Sequence, residues 1–202
     1  MTGQEAGDSL SPGRADDLSE DAAGRQKLDE AFGRFFRDHY PRVVGILSKM
    51  VGERSRAEDL AIEVFWKFYR HVPLPGMPGE SGANPAGWLY RTATRLGIDS
   101  LRAEARRERY ERKAASLPAA SRNQNPLEDI LEAETRQRVR QALAMLRPGQ
   151  AQLLILRASG FSYRELASVF DVKPGSVGTM LVRSGACFRK RYSQLDRTKE
   201  EK

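Results

Sequence analysis

The chain has 202 residues, 30% of them charged, with a formal charge of +7 and a pI near 9.7, so it can hold one medium or two small domains and favours a polyanionic partner. A single cysteine, Cys187, excludes an intrachain disulfide and a thiol-based metal site, and His39 and His71 are too isolated to suggest a metal centre. No signal-peptide pattern opens the chain and no apolar run reaches membrane-spanning length; the expectation is a cytoplasmic protein without membrane insertion, cofactor or metal.

Residues 1–26 are rich in Gly, Asp and Ser, with Asp16, Asp17, Glu20 and Asp21 among the acids and almost nothing to bury, which predicts a disordered acidic arm. Order is expected from Lys27, where Leu28, Phe32, Phe35 and Phe36 recur at helical spacing. A second helix is expected to open at Pro41 and stop at Gly52. Ser55 and Glu58 have the spacing of a capping box that would open a helix over 56–70. Leu60, Ala61, Val64, Phe65 and Phe68 form one apolar face there, and Ile62, Trp66 and Tyr69 carry it round most of the cylinder. Such a helix is either central to its domain or presents a face to another protein.

Residues 71–83 are crowded with Pro and Gly and predict a loop, after which Asn84 can cap a helix with Pro85 in its first turn. Along that helix Arg91, Arg95, Arg102, Arg106, Arg109 and Lys113 share one side, with Leu89, Ala93, Leu96 and Ile98 expected on the other. A cationic ridge backed by a packed face suits a phosphate backbone. The ordinary alternative is a solvated face, since Glu104, Glu108 and Glu111 offer local pairing; six cations in a row favour nucleic acid.

Residues 114–126 lack an apolar period and read as a linker. Beyond it Leu127, Leu131, Val139, Leu143 and Leu146 mark a helix, and Pro148 opens a shorter one ending near Gly160. Ser162 and Glu165 form a second capping-box pattern, Asp171 can take a left-handed turn, and Pro174 suits the first turn of the next helix. Small or apolar residues at Leu166, Ala167, Phe170, Val172, Val177 and Met180 complete a helix-turn-helix pattern, which is either a DNA reader or an ordinary helical corner. Residues 193–202 form a charged tail with no core signal and are expected to be disordered. The fold class is all-α: two small helical domains, 27–113 and 127–192, joined by a flexible linker.

Together, 57–70 (AEDLAIEVFWKFYR), 88–102 (WLYRTATRLGIDSLR) and 161–177 (FSYRELASVFDVKPGSV) resemble the extracytoplasmic-function (ECF) sigma factors of bacterial RNA polymerase, over roughly 29–192. The resemblance implies that Asp59, Glu63, Phe65 and Trp66 meet the polymerase core. It implies that 72–83, Arg91, Arg95, Asp99, Arg102 and Arg106 serve the opened minus-ten element of promoter DNA, and that Lys173, Ser176, Thr179, Arg183 and Lys190 serve the minus-thirty-five element. It also implies an anti-sigma protein as a partner and no catalytic residue. The sequence departs from the family at Ile62, where a glutamine is usual, at Arg95, where an asparagine is usual, and at Lys173, Gly178 and Met180 in and before the second motif helix. The competing reading is a free-standing helix-turn-helix regulator that binds duplex DNA without polymerase.

Overall fold

The computed structural model describes residues 13–71, 84–114 and 126–200. Seven helices make up this part: α1 (Gly13–Val51), α2 (Arg54–His71), α3 (Pro85–Ala114), α4 (Pro126–Ala144), α5 (Pro148–Ala158), α6 (Tyr163–Phe170) and α7 (Pro174–Glu200). No strand occurs among the described residues. Of the linker expected at 114–126 and the loop expected at 71–83, residues 115–125 and 72–83 lie outside them, while Ala114, Pro126 and His71 are the end residues of helices.

The first three helices pack around an aromatic stack. Phe35 of α1 lies flat on Phe68 of α2, with centroids 4.4 Å apart and planes 6° from parallel, and Phe68 meets Trp88 of α3 edge-on at 5.8 Å. Phe36 tilts onto Phe65 at 4.7 Å. Below these rings, Val43, Ile46, Leu47 and Met50 meet Ala57, Ala61 and Val64 of α2 and Leu89 and Ala93 of α3, all buried. Small residues let the helices approach closely; a Cβ on Gly97 would stand 2.4 Å from the Met50 methyl, so the Met50 side chain would have to shift to admit one there. Fully burying a ring such as Phe65 contributes about 1.5–3 kcal/mol.

Several boundaries differ from expectation. Helix α1 runs unbroken through Pro41, because packing on both sides of it, through Phe36 and Tyr40 before and Val43, Ile46 and Leu47 after, holds one axis and outweighs the backbone hydrogen bond that proline cannot donate. It also begins at Gly13, so the arm expected to be disordered to residue 26 is helical from there. The tail expected at 193–202 continues α7 to Glu200, where Lys, Glu and Gln are good helix formers. Ser55 does not cap α2: it lies inside the first turn, its hydroxyl donates to Glu53, and Glu58 instead pairs with Arg54 at 2.8 Å.

In the second half, the capping box at Ser162 is formed. The Glu165 amide donates to Ser162 Oγ at 3.2 Å and the Ser162 amide donates to Glu165 Oε2 at 2.7 Å. Asp171 takes the left-handed conformation (φ 53°) and ends α6, while Gly160 (φ 93°) ends the turn after α5. Leu166, Ala167 and Val177 are buried between α6 and α7. The buried residues of both halves form one connected cluster, in which Phe161 reaches Tyr90 of α3 edge-on at 4.8 Å.

Candidate nucleic-acid and protein interfaces

Three surfaces carry the residues singled out in the sequence. On α2, Ile62, Trp66 and Tyr69 stand at helical spacing on the outside; Ile62 is 53% exposed and Trp66 60%. Trp66 stacks on Tyr69 with centroids 6.4 Å apart, and the Tyr69 hydroxyl donates to Asp29 of α1, which pushes the phenol pKa up. Asp59 and Glu63 are exposed beside this stripe, with Glu63 paired to Lys67 at 2.6 Å. Phe65 is a correction: it is 2% exposed and packed on Phe36, so it supports the stripe from beneath and offers nothing to a partner. At 100° per residue Phe65 and Trp66 necessarily point to different sides, which the helical period alone could have separated. Tyr69 belongs with the stripe and was missed as a site residue because its anchor, Asp29, is remote in sequence.

Along α3, Arg91, Arg95, Arg102 and Arg106 fall within about 60° of one another, the ridge expected from their spacing. Arg95, Asp99 and Arg106 are exposed. Arg91 and Arg102 are half-buried and bond across to the second half of the molecule. Ile98, expected opposite the cations, instead lies within about 20° of Arg91 and is buried. The ridge is therefore lined on one flank by protein rather than by solvent. The side chains of Arg109 and Lys113 lie outside the described residues.

On α7, Ser176, Thr179, Arg183 and Lys190 are all exposed and within about 60° of one another, with Lys173 exposed just before the helix. Val177 and Ser184 are buried on the opposite side and fix this orientation. Val182, about 60° round the helix from Thr179 and about 100° from Arg183, is 70% exposed, a residue that sequence reasoning passed over because valine ordinarily counts toward a core. Among the described residues no group of His, Cys, Asp or Glu could hold a metal ion, and no helix is long and apolar enough to cross a membrane.

An all-α chain with a helix-turn-helix in one half and an exposed aromatic stripe in the other defines a DNA-binding protein equipped for a protein partner. The family model for sigma-70 region 2 matches residues 35–107 and that for sigma-70 region 4 matches 136–184, together more than half of the chain. The chain belongs to the sigma-70 family of RNA polymerase sigma factors, in its ECF class. It is 29% identical over 170 residues to the ECF RNA polymerase sigma factor SigE of Mycolicibacterium smegmatis, covering 81% of this chain and 62% of that one. It is 26% identical over 174 residues to the RNA polymerase sigma factor CarQ of Myxococcus xanthus, covering 85% and 95%. Among solved structures, the sigma factor RpoE of Bartonella quintana, crystallised with the anti-sigma factor NepR, aligns at 22% identity over 80% of this chain and 96% of that one, with a TM-score of 0.42.

Proposed function

We propose that this chain recruits core RNA polymerase through the outer stripe of α2 and directs it to specific promoters, where α3 holds the opened minus-ten strand and α7 engages the minus-thirty-five element. The observation that carries this reading is Trp66, 60% exposed and next in sequence to the buried Phe65, in the segment that matches region 2. An aromatic residue left out of its own core is suited to anchor a partner's surface. The ridge cations and the α7 stripe supply the two kinds of DNA contact such a subunit needs: phosphate positioning along a displaced strand, and side chains aimed at a groove. The protein acts in the cytoplasm by binding alone, with no catalytic step of its own. An anti-sigma protein that covers one of these surfaces is the expected inhibitor for this class.

The test is transcription reconstituted from core polymerase and this protein on a genomic promoter library. Promoter-specific transcripts that require both components are expected. Sequence-specific duplex binding by the protein alone, with no gain in transcription on adding polymerase, would replace this reading with that of a free-standing regulator.

A further inference from the structure

We propose that Tyr110 is a base-stacking residue, a platform for one unpaired nucleobase at the far end of the α3 ridge. This role deepens the sigma-factor reading above and rests on it. Tyr110 is 69% exposed, the most open aromatic side chain among the described residues. It lies just past the segment that matches sigma-70 region 2, which ends at residue 107, while α3 runs on to Ala114. The family match therefore assigns it nothing.

Nothing in the fold calls for a ring at this place. Leu101 is the last buried residue described on α3, and Tyr110 stands about 13 Å further along the axis. No ring, guanidinium or hydrogen-bonding group among the described residues meets it. Tyrosine is only a middling helix former, so propensity does not account for it on a solvent-facing turn. An aromatic side chain stabilises a fold chiefly by being buried, and this one forgoes that contribution.

Its position gives the ring a use. Tyr110 falls about 40° round the helix from Arg106, about 20° from Asp99 and about 60° from Arg95, all of them exposed. It is about 120° from the buried Ile98, so it belongs to the open flank of the ridge and not to the flank lined by protein. Asp99, an acid on the same strip, is drawn to Arg102 at 3.9 Å, which leaves Arg95 and Arg106 as the open cations. From Arg95 to Tyr110 the strip is about 22 Å long. Guanidinium groups hold phosphates whether or not the strands are paired, whereas a π face gains only from a base whose own face is uncovered. In a duplex each base is already stacked on its neighbours, so Tyr110 contributes to the opened strand alone. The flanking cations favour a polyanion over an apolar protein surface, which makes the occupant of the ring a nucleobase.

An abasic scan tests the assignment. Holoenzyme formed from core polymerase and the full chain is titrated with forked DNA of a promoter it selects. The minus-ten non-template strand of that DNA is left single and carries one abasic site at a time. The parent should lose about tenfold in affinity at one abasic position. Tyr110→Ala should bind the intact fork about tenfold more weakly and be indifferent to the abasic site at that position. Tyr110→Phe, which keeps the ring, should behave as the parent, and Tyr110→Leu, apolar but without a π face, as Tyr110→Ala. The slope of log affinity against log salt should stay unchanged in Tyr110→Ala and fall by about 0.7 in Arg106→Ala, which separates stacking from phosphate contact.

A Tyr110→Ala holoenzyme that keeps the parent's affinity, or that matches the parent's loss at every abasic position, would overturn the proposal. So would a Tyr110→Leu chain indistinguishable from the parent, which would reduce the ring to apolar cover. A clear loss of stability of Tyr110→Ala in denaturant unfolding would place the ring in a packed core and overturn it likewise. If core polymerase and the parent chain select no promoter, the sigma reading itself falls. The free full chain with a mixed-sequence single-stranded oligonucleotide then decides Tyr110: a loss of about tenfold in Tyr110→Ala supports stacking, and equal or undetectable binding by both overturns it.

Discussion

The two surfaces expected to meet DNA differ in what occupies them. On α7, Ser176, Thr179, Val182 and Arg183 face outward and are exposed, whereas on α3 Arg91 and Arg102 are already bonded to carbonyls of α6 and α4. The α7 face is open, and the α3 ridge is partly filled by the protein itself. Both are basic, so net charge does not separate them; what does is whether the preferred partner is intramolecular. A cation beside the carboxyl end of a helix is satisfied without DNA, and must be released before a phosphate can replace that carbonyl.

Removing the wedge between the halves should disturb this contrast most. Phe161→Ala deletes a ring that is 1% exposed and seated against Tyr90 and Arg42, and should cost about 3–5 kcal/mol in denaturant unfolding. A loss below about 1 kcal/mol would mean that the site collapses freely and that Phe161 does not join the halves. Trp66→Ala comes next: about 2 kcal/mol or more lost in affinity for core polymerase, near thirtyfold, with stability nearly unchanged. Unaltered polymerase binding would take the α2 stripe out of the interface. Arg183→Ala should weaken binding at the upstream element by about 1–3 kcal/mol and leave single-strand binding by the ridge alone. An unchanged footprint there would remove Arg183 from the reading face.

What the sequence made legible follows the range of the interactions. The helix-turn-helix could be read residue by residue because its determinants are local: the Ser162–Glu165 box, the left-handed Asp171 and Pro174 lie within one stretch. The α2 helix was legible as over-endowed with apolar residues, yet only the packed structure separates Phe65, against Phe36, from Trp66, in solvent. The α3 cations were legible as a ridge, but their partners on α4 and α6 are 42 to 78 residues away in sequence, and no periodicity encodes such pairings. The failed cap at Ser55 has a local cause instead, since Arg54, four residues before Glu58, offered it a charged partner in place of the backbone amide.

Acid should loosen the Arg42–Glu165 ion pair between the halves within a defined window. The Glu165 carboxyl is held at about 2, below its ordinary 4.5, first by the Ser162 amide and then by Arg42. A depressed carboxylate contributes its full stabilisation above the ordinary value and loses it as the pH falls from about 4.5 through about 2. The stability that this carboxylate contributes should therefore be complete at neutral pH and be lost progressively across that acid range, with denaturant unfolding as the readout. Arg42→Ala should flatten the part of the response that arises between the halves; an equal response in both proteins would assign the transition to other carboxylates.

The smallest effect concerns Val182, and it tests whether the open α7 face reads bases or only positions the protein. A 70% exposed valine at the flank of this face, about 60° round from Thr179, is suited to touch the C5 methyl of thymine, the one apolar feature of the major groove. Replacing thymine by deoxyuridine in the upstream element selected by the protein deletes that methyl and nothing else. One methyl-sized contact is worth about 0.8 kcal/mol, roughly a fourfold change in affinity. The parent should show this loss at one thymine and Val182→Ala should show none there. A parent indifferent to every such replacement would leave α7 with Arg183 and polar contacts alone, and would make the exposed valine a neutral feature of the surface. A loss that persisted in Val182→Ala would assign the methyl contact to another side chain, with the Thr179 methyl group the nearest alternative on the same face.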